Sequence, residues 1–184
     1  MTLLDILKKS LTLIGLPDDA DTLELWRPRL LHWCNEGLTD LCLSLRPWAR
    51  ETVELWDCGE INDMDLQHPC VKVLSVEYEG ASTPFYYGMD MGQILLPERK
   101  AGDRVDIVYR YMPRALSKDT DEPDIPEALH SLLVTYTVGR EKSHLDTEAQ
   151  NVGLQDLSTY EQMKKWWSRN TPSPLGNRFY HMYI

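Results

Sequence analysis

The spacing of apolar residues predicts a short amphipathic helix at the start of the chain, over residues 3–14. Its apolar residues recur at intervals of three and four: Leu4, Leu7, Leu11 and Ile14. Gly15 and Pro17 follow this pattern directly, and both residue types are typical of helix ends. We therefore expect the first helix to end at this point.

A longer helical pattern covers residues 22–46. Its apolar stripe consists of Leu23, Trp26, Leu30, Trp33, Cys34, Leu38, Leu41 and Leu45. Asp21 and Glu24 have the spacing of a capping box, in which each side chain accepts a backbone N–H at the helix start. Pro28 lies near the first turns, so the helix is expected to begin later than the box or to bend there.

Between residues 51 and 111 the apolar period changes from three or four to two, which indicates strands. The candidate strands are ETVELW, VKVLSVEYE, FYYG, GQILLP and RVDIVYRY. In the last of them Val105, Ile107, Tyr109 and Tyr111 share one face. No helical pattern separates the strands, so an antiparallel meander or a small sandwich is favoured over parallel units.

Two further helices are predicted over residues 125–145 and 147–168. The third has a stripe of Leu129, Leu132, Leu133 and Tyr136, and the fourth has one of Ala149, Val152, Leu157, Tyr160, Met163 and Trp167. The short link predicts an antiparallel pair. Asp124 and Glu127 resemble a second capping box, and we favour this cap over a metal site in the acidic loop 117–124.

These elements predict the α+β class: a bundle of about four helices with a small antiparallel strand-rich insert and an extended C-terminal tail. Residues 1–170 are expected to form a single domain, and residues 171–184 the tail. Pro172, Pro174 and Gly176 separate the tail from the fourth helix.

The tail is rich in large apolar side chains, which is unusual for a chain terminus. Trp166 and Trp167 precede it and point about 100° apart on a helix, so at least one is a candidate for burial by a partner. The predicted partner-binding residues are Trp166, Trp167, Arg178, Phe179, Tyr180, Met182, Tyr183 and Ile184. A tail that folds back over its own helix is the alternative.

Composition narrows the function. The formal net charge is −10, which disfavours tight, sequence-reading contact with nucleic acid. Cys34, Cys42, Cys58 and Cys70 have no C-x-x-C spacing, so we interpret them as reduced thiols. No apolar run of membrane-spanning length or signal-peptide core is present in the sequence, which predicts synthesis in the cytoplasm and no membrane partner.

Catalytic and cofactor motifs are not found in the sequence. It has no G-x-S-x-G, no G-x-x-x-x-G-K-[ST] and no G-x-G-x-x-G. The pairs His32–Cys34 and His68–Cys70 would have to meet from separate elements to bind zinc, and His130 and His144 are too far apart to share a metal ion. We therefore expect no enzymatic activity, no cofactor and no metal.

The order of these elements resembles that of the head-to-tail adaptor, or connector, proteins of tailed bacteriophages. The similarity runs from Leu3 to about Trp167. It includes the helical segment WCNEGLTDL, residues 33–41, and is strongest from Tyr109 to Leu133, where a Y-x-Y strand leads into PRALSKDTDEPDIPEALHSLL.

The resemblance implies a structural protein at the head–tail junction of a virion, made in the host cytoplasm. It implies a homo-oligomeric ring, commonly of twelve copies, that binds the portal protein above and tail or nozzle proteins below. The ring forms part of the DNA conduit, so DNA passes without specific binding during ejection. The rival hypothesis is a small cytoplasmic protein-binding module with a self-docked aromatic tail.

Overall fold

The computed structural model describes residues 1–56, 59–90, 92–145 and 147–170. They form two compact units: Met1–Leu45 with Pro113–Arg169, and the strand-rich segment Arg46–Met112. The single domain expected over residues 1–170 stays a prediction. The tail, residues 171–184, and with it the predicted contacts of Arg178, Phe179, Tyr180, Met182, Tyr183 and Ile184, lies outside the described residues.

Four α-helices and seven strands make up the two units. The helices are α1 (Leu3–Ile14), α2 (Ala20–Leu45), α3 (His130–Lys142) and α4 (Thr147–Asn170). The strands are β1 (Trp48–Glu54), β2 (Glu60–Asn62), β3 (Cys70–Tyr78), β4 (Ala81–Thr83), β5 (Tyr86–Tyr87), β6 (Gln93–Leu95) and β7 (Arg104–Tyr111). The predicted α+β class, with four helices and an antiparallel insert, is confirmed.

Helix α1 has defined caps at both ends. At its start the Thr2 hydroxyl accepts the backbone N–H of Asp5, and the Asp5 carboxylate accepts that of Thr2, a capping box that the apolar pattern did not reveal. At its end Gly15 adopts φ 91°, a left-handed conformation that glycine tolerates best. The predicted bounds of this helix are confirmed.

Helix α2 begins earlier than predicted, and its cap is a different residue. Asp19 precedes the helix and accepts the backbone N–H of Thr22 at 2.9 Å, which lowers the pKa of Asp19. The capping box expected at Asp21 and Glu24 is therefore wrong, because Asp21 already lies inside the helix. Pro28 is also inside it, and the helix continues through this position.

Helix α3 is the centre of the first unit and is buried on most sides. Leu129, Leu132, Leu133 and Tyr136, the predicted stripe, are all buried. So are residues on other faces of the helix, among them Val134, Thr137, Val138 and Glu141. Such burial all round indicates a helix that is surrounded by other elements.

The start of α3 also differs from the prediction. A short 3-10 helix, Glu127–Leu129, comes first, and its N-cap is Pro126 without a side-chain hydrogen bond. The capping box expected from Asp124 and Glu127 is wrong. Proline has no backbone N–H and its ring fixes φ. The 3-10 turn therefore begins at Pro126 and does not use the Asp124 side chain as a cap.

The acidic loop before α3 is held by backbone hydrogen bonds. Asp121 accepts the backbone N–H groups of Lys118 and Ser117, each at 2.8 Å, and these bonds lower the pKa of the Asp121 carboxyl. Its own carbonyl accepts the N–H of Leu3 at 2.7 Å. The loop thus satisfies a backbone donor at the start of α1 that the helix leaves without a partner.

Helices α3 and α4 meet closely at two glycines. A Cβ added at Gly153 would lie 2.7 Å from the Ser143 nitrogen and 2.8 Å from the Gly139 oxygen. A Cβ at Gly139 would lie 2.9 Å from Cγ of Leu157. Later residues of α3 thus face earlier residues of α4, which confirms the predicted antiparallel pair.

The second unit contains two antiparallel sheets. One has the strand order β1-β7-β3-β4 and the other β2-β6-β5, so β1 pairs with the distant β7 and a simple meander is excluded. Strands β2 and β4 were not predicted. Residues of both sheets share one core, including Ile61, Ile94, Val76, Ile107 and Tyr109.

The opposite face of the larger sheet carries paired charges. Arg50 binds Glu77 and Asp106 at 2.8 Å each, and the Thr52 hydroxyl donates to Asp106 at 2.6 Å. The bond from Thr52, and then that from Arg50, lowers the pKa of Asp106. These cross-strand contacts link β1, β7 and β3 on the face away from the core.

We expect Gly153→Ala to lower the free energy of unfolding by about 1–3 kcal/mol, because the added methyl group would overlap the backbone of α3. This loss should exceed the gain in helix propensity from glycine to alanine. Asn151→Ala, on an exposed position of α4, is the matched control. Urea denaturation measures both, and a Gly153→Ala variant as stable as Asn151→Ala would contradict the close packing.

Asp121→Ala should lower the melting temperature at pH 7. The pKa of Asp121 is depressed in the folded protein, so its stabilisation is present above the ordinary value of about 4 and is lost as the pH falls through the folded pKa. The difference in melting temperature between Asp121→Ala and the natural chain should therefore be smaller at about pH 2.5 than at pH 7. Asp18→Ala, an exposed carboxylate, should leave the melting temperature unchanged at both pH values.

Candidate partner-binding surface

Helix α4 is held against α2 by a buried polar cluster. The Tyr160 hydroxyl donates to Asp40 at 2.6 Å, and the Lys164 ammonium binds both Asp40 and Glu161 at 2.6 Å. Burial and the bond to Asp40 raise the pKa of Tyr160, so its hydroxyl stays a donor. Burial opposes the ionisation of Lys164, but its two carboxylate partners raise its pKa.

The two helices run in the same direction and end together. Tyr160, near the middle of α4, contacts Asp40, five residues before the end of α2, and the Ser168 hydroxyl donates to the Ser44 carbonyl at 3.0 Å near both ends. This places the last turn of α4, with Trp166 and Trp167, beside the end of α2. Their rings lie 5.2 Å apart and nearly perpendicular.

Only a narrow face of α4 is buried, and this corrects its predicted stripe. Tyr160 is fully buried, and Ala149, Leu157 and Trp167 are half-buried. Val152 and Met163, which were expected on the same face, are 43% and 42% exposed. Trp166 is 55% exposed. Trp167 is therefore more covered than its neighbour Trp166.

Val152, Met163 and Trp166 form what we call the α4 stripe. At 100° per residue their directions fall within about 60° of one another, so they line one side of the helix. Leu154 is also exposed, at 54%, but points about 120° or more away from each of them. The α4 stripe is thus a set of exposed apolar side chains on one side of the helix, in which the polar residues Asp156 and Thr159 separate Val152 from Met163.

The aromatic and charged side chains of α2 serve packing rather than binding of a small molecule. The Trp33 indole donates to Glu141 at 3.0 Å, and its ring stacks on His144 and lies under the Arg140 guanidinium. Arg140 also pairs with Glu36 at 3.2 Å. These contacts join α2 to the end of α3.

A shallow groove of about 480 Å³ follows the exposed face of α2. Its lining residues are His32, Asn35, Glu36, Thr39, Asp40 and Leu43. Both carboxylates in it already have cationic partners, since Glu36 pairs with Arg140 and Asp40 with Lys164. The groove therefore offers little free charge to a ligand.

The cysteines of the described residues are not activated. Cys34 and Cys42 are both buried on α2, and desolvation raises the pKa of each thiol to about 12. Half-buried Cys70 has its pKa raised to about 11 for the same main reason. These raised pKa values disfavour thiolate chemistry at neutral pH at all three cysteines. Cys58 lies outside the described residues.

His130, interpreted from the sequence as a solvated or packing residue, is a buried packing residue. Its Nε2 lies 3.1 Å from the Ile125 carbonyl and its Nδ1 lies 3.0 Å from the Met1 amine. Within the described ranges, no group of three or more His, Cys, Asp or Glu side chains could hold a metal ion. None of the described helices is long and apolar enough to cross a membrane.

The second unit carries a surface that the sequence reasoning missed. Trp56 and Tyr86 are 64% and 60% exposed, and both lie on the small sheet β2-β6-β5 or directly beside it. The alternation in FYYG could have indicated that Tyr86 faces away from the core side of its strand. Trp56 follows a strand and gave no such signal.

Residues 1–165 match the family model described as SU10 adaptor protein. This match covers most of the chain, so the protein belongs to the SU10 adaptor protein family, and the resemblance to phage head-to-tail adaptors is confirmed. No curated protein matches the chain.

Membership identifies the protein as a phage adaptor, a structural class that is not enzymatic. The family implies interaction with phage portal and tail components, and with it a place at the head–tail junction of the virion. Among the described residues, exposed apolar side chains occur both in the α4 stripe and at Trp56 and Tyr86 of the second unit.

Proposed function

We propose that this protein assembles as a ring that joins the portal to the tail and forms part of the DNA conduit. The observation that carries the proposal is the match of residues 1–165 to the adaptor family. The α4 stripe supports it, because its three side chains are 42–55% exposed on one side of the helix. Grouped exposed apolar side chains are typical of surfaces that bind a partner.

The geometry of α4 supports a contact that is rigid before binding. The cluster of Tyr160, Asp40 and Lys164 fixes the helix along one face, and the glycine contact with α3 fixes its first half. The α4 stripe is therefore presented on a supported helix. Less conformational freedom is lost on binding than with a free segment.

The aromatic tail extends this surface in the proposal. It follows α4 directly and carries Phe179, Tyr180, Met182, Tyr183 and Ile184 next to Arg178. Aromatic and arginine side chains contribute most to the free energy of protein interfaces. We assign the α4 stripe and Trp167 to the portal or to a neighbouring copy, together with these tail residues.

A ring of twelve copies would stabilise contacts that are weak between two isolated chains. In a closed ring each copy uses two different surfaces, one toward each neighbour. Each additional tail binds at the high effective concentration created by the contacts already formed. A contact that is too weak for two isolated chains is stable in the assembled particle.

The charge balance fits a conduit through which DNA slides. The net charge of −10 gives little attraction for phosphates, and Lys164 in the basic segment at the end of α4 is bound to Asp40 and Glu161. Tight binding of DNA depends on such cations. DNA is then expected to pass without specific contacts to this protein.

Trp166→Ser should weaken binding to portal rings by about tenfold or more, because an aromatic anchor at an interface contributes about 2 kcal/mol. Native mass spectrometry and sedimentation of the adaptor with purified portal protein measure assembly and affinity. Leu154→Ser is the matched control, since it removes an equally exposed apolar side chain from another side of α4.

Both variants should keep the melting temperature of the natural chain, since both side chains are at least half exposed. Equal binding by Trp166→Ser and the natural chain would remove the α4 stripe from the interface. A protein that stays monomeric with the portal present would contradict the ring and favour the self-contained binding module.

Deletion of residues 171–184 should leave a soluble protomer with nearly the same melting temperature, because the described residues already supply a buried core in each unit. It should weaken assembly with the portal or with other copies. Differential scanning calorimetry and native mass spectrometry measure the two effects. A truncated chain that unfolds or aggregates when expressed alone would instead assign the tail to its own core.

A further inference from the structure

The outward face of the small sheet carries one row of side chains across its strands. Tyr86 pairs with Leu95, Leu95 with Glu60, and Glu60 with Trp56. Directly opposed residues of antiparallel strands point to the same face. Ile61 and Ile94, one position along, are buried in the core, so the row points outward.

Two exposed aromatic residues flank a carboxylate in this row. Trp56 and Tyr86 are largely exposed, whereas Leu95 and Glu60 are half-buried between them. Glu60 forms no ion pair with any cation of the described residues. A half-buried carboxylate without a cation is stabilised when one is supplied, because the pair offsets its partial loss of water.

This arrangement fits an arginine side chain with apolar neighbours. A guanidinium can bind a carboxylate through two parallel N–H groups while its flat face lies against an aromatic ring. Tryptophan and tyrosine are the aromatic residues that best attract such a cation. A lysine could supply the charge, but not the planar, two-pronged contact.

We propose that this row is the docking site of the C-terminal segment Asn177–Ile184 of a neighbouring copy, with Arg178 of that segment bound to Glu60. Arg178 is the one residue of formal charge in residues 171–184, and Phe179 and Tyr180 follow it. The row thus offers the Glu60 carboxylate, which has no cationic partner among the described residues and lies between apolar side chains. The tail offers the Arg178 cation, which is followed by apolar side chains. The inference rests on the proposed role of the tail in contacts and names the surface that receives it.

The dimensions agree with this assignment. Four positions across the sheet span about 14 Å, at about 4.8 Å between neighbouring positions. Four extended residues span about 10 Å over their three intervals, and the long side chains of the segment extend that reach. Arg178, Phe179 and Tyr180 can therefore reach the carboxylate and its aromatic neighbours as one short extended stretch.

Photo-crosslinking of the full-length chain assembled on portal rings tests the proposal. Tyr180 is replaced by benzoylphenylalanine, the protein is irradiated, and the linked peptides are mapped by mass spectrometry. We expect links between two copies that map to the segments containing Trp56, Glu60 and Tyr86. Links within a single chain would overturn the proposal and support the self-docked tail.

Charge variants make the test specific. Glu60→Gln should lower the crosslink yield by about tenfold, the effect of losing one charge-assisted contact. Glu79→Gln, an exposed carboxylate in the turn between β3 and β4, should not change it. Glu60→Arg should also lower the yield, and combining it with Arg178→Glu should restore it.

Links that map to other surfaces, or a yield that Glu60→Gln leaves unchanged, would overturn the assignment. So would a failure of the charge exchange to restore the yield. These outcomes are separate from the proposed function, which depends on assembly with the portal. A ring that forms with the portal but shows no dependence on Glu60 would remove the docking site and leave the adaptor role.

Discussion

The first unit depends on the burial of a carboxylate. Glu141 of α3 is fully buried, and it is stabilised by the Arg29 guanidinium at 2.6 Å and the Trp33 indole at 3.0 Å, both from α2. An ionised carboxylate without such partners would cost several kcal/mol in the interior. The two helices must therefore meet in one register, because a shift by a single turn would leave Glu141 without its donors.

That register determines where the rest of the unit can pack. With α2 and α3 fixed, Gly37 allows the Tyr136 ring to approach α2, where a Cβ would lie 2.7 Å from the ring. Tyr136 in turn packs against Tyr160 of α4, with ring centroids 4.8 Å apart. The position of α4, and so the direction of the α4 stripe, follows from contacts that begin at the centre of α3.

Periodicity predicted the helices well because their buried stripes are long. The stripes of α2 and α3 repeat over several turns, so burial of residues such as Leu30, Leu38 and Leu133 could be predicted from spacing alone. The caps were harder, because Asp19, Asp21 and Asp124 are chemically equivalent candidates. Only the backbone path decides which of them meets a free N–H group.

The candidate surfaces were predictable only in part. The adjacent tryptophans indicated that one would face outward, but spacing placed Val152 and Met163 inside, since it cannot show how narrow the covered face of α4 is. The row on the small sheet depends on pairing between segments more than twenty residues apart, as Trp56 and Tyr86 are. Sequence alone does not specify such pairing, because β2 is only three residues long.

The pairing of β1 with β7 has a consequence for how the chain can change over time. Trp48 lies opposite Arg110, so the strand that enters the second unit and the strand that leaves it are neighbours at the same edge of the fold. Opposed residues of such strands are about 5 Å apart. A segment whose two ends are adjacent can be lengthened, exchanged or removed by recombination while the flanking helices stay continuous. The strand-rich segment of this adaptor can thus change in length or sequence by recombination while the helical unit is kept.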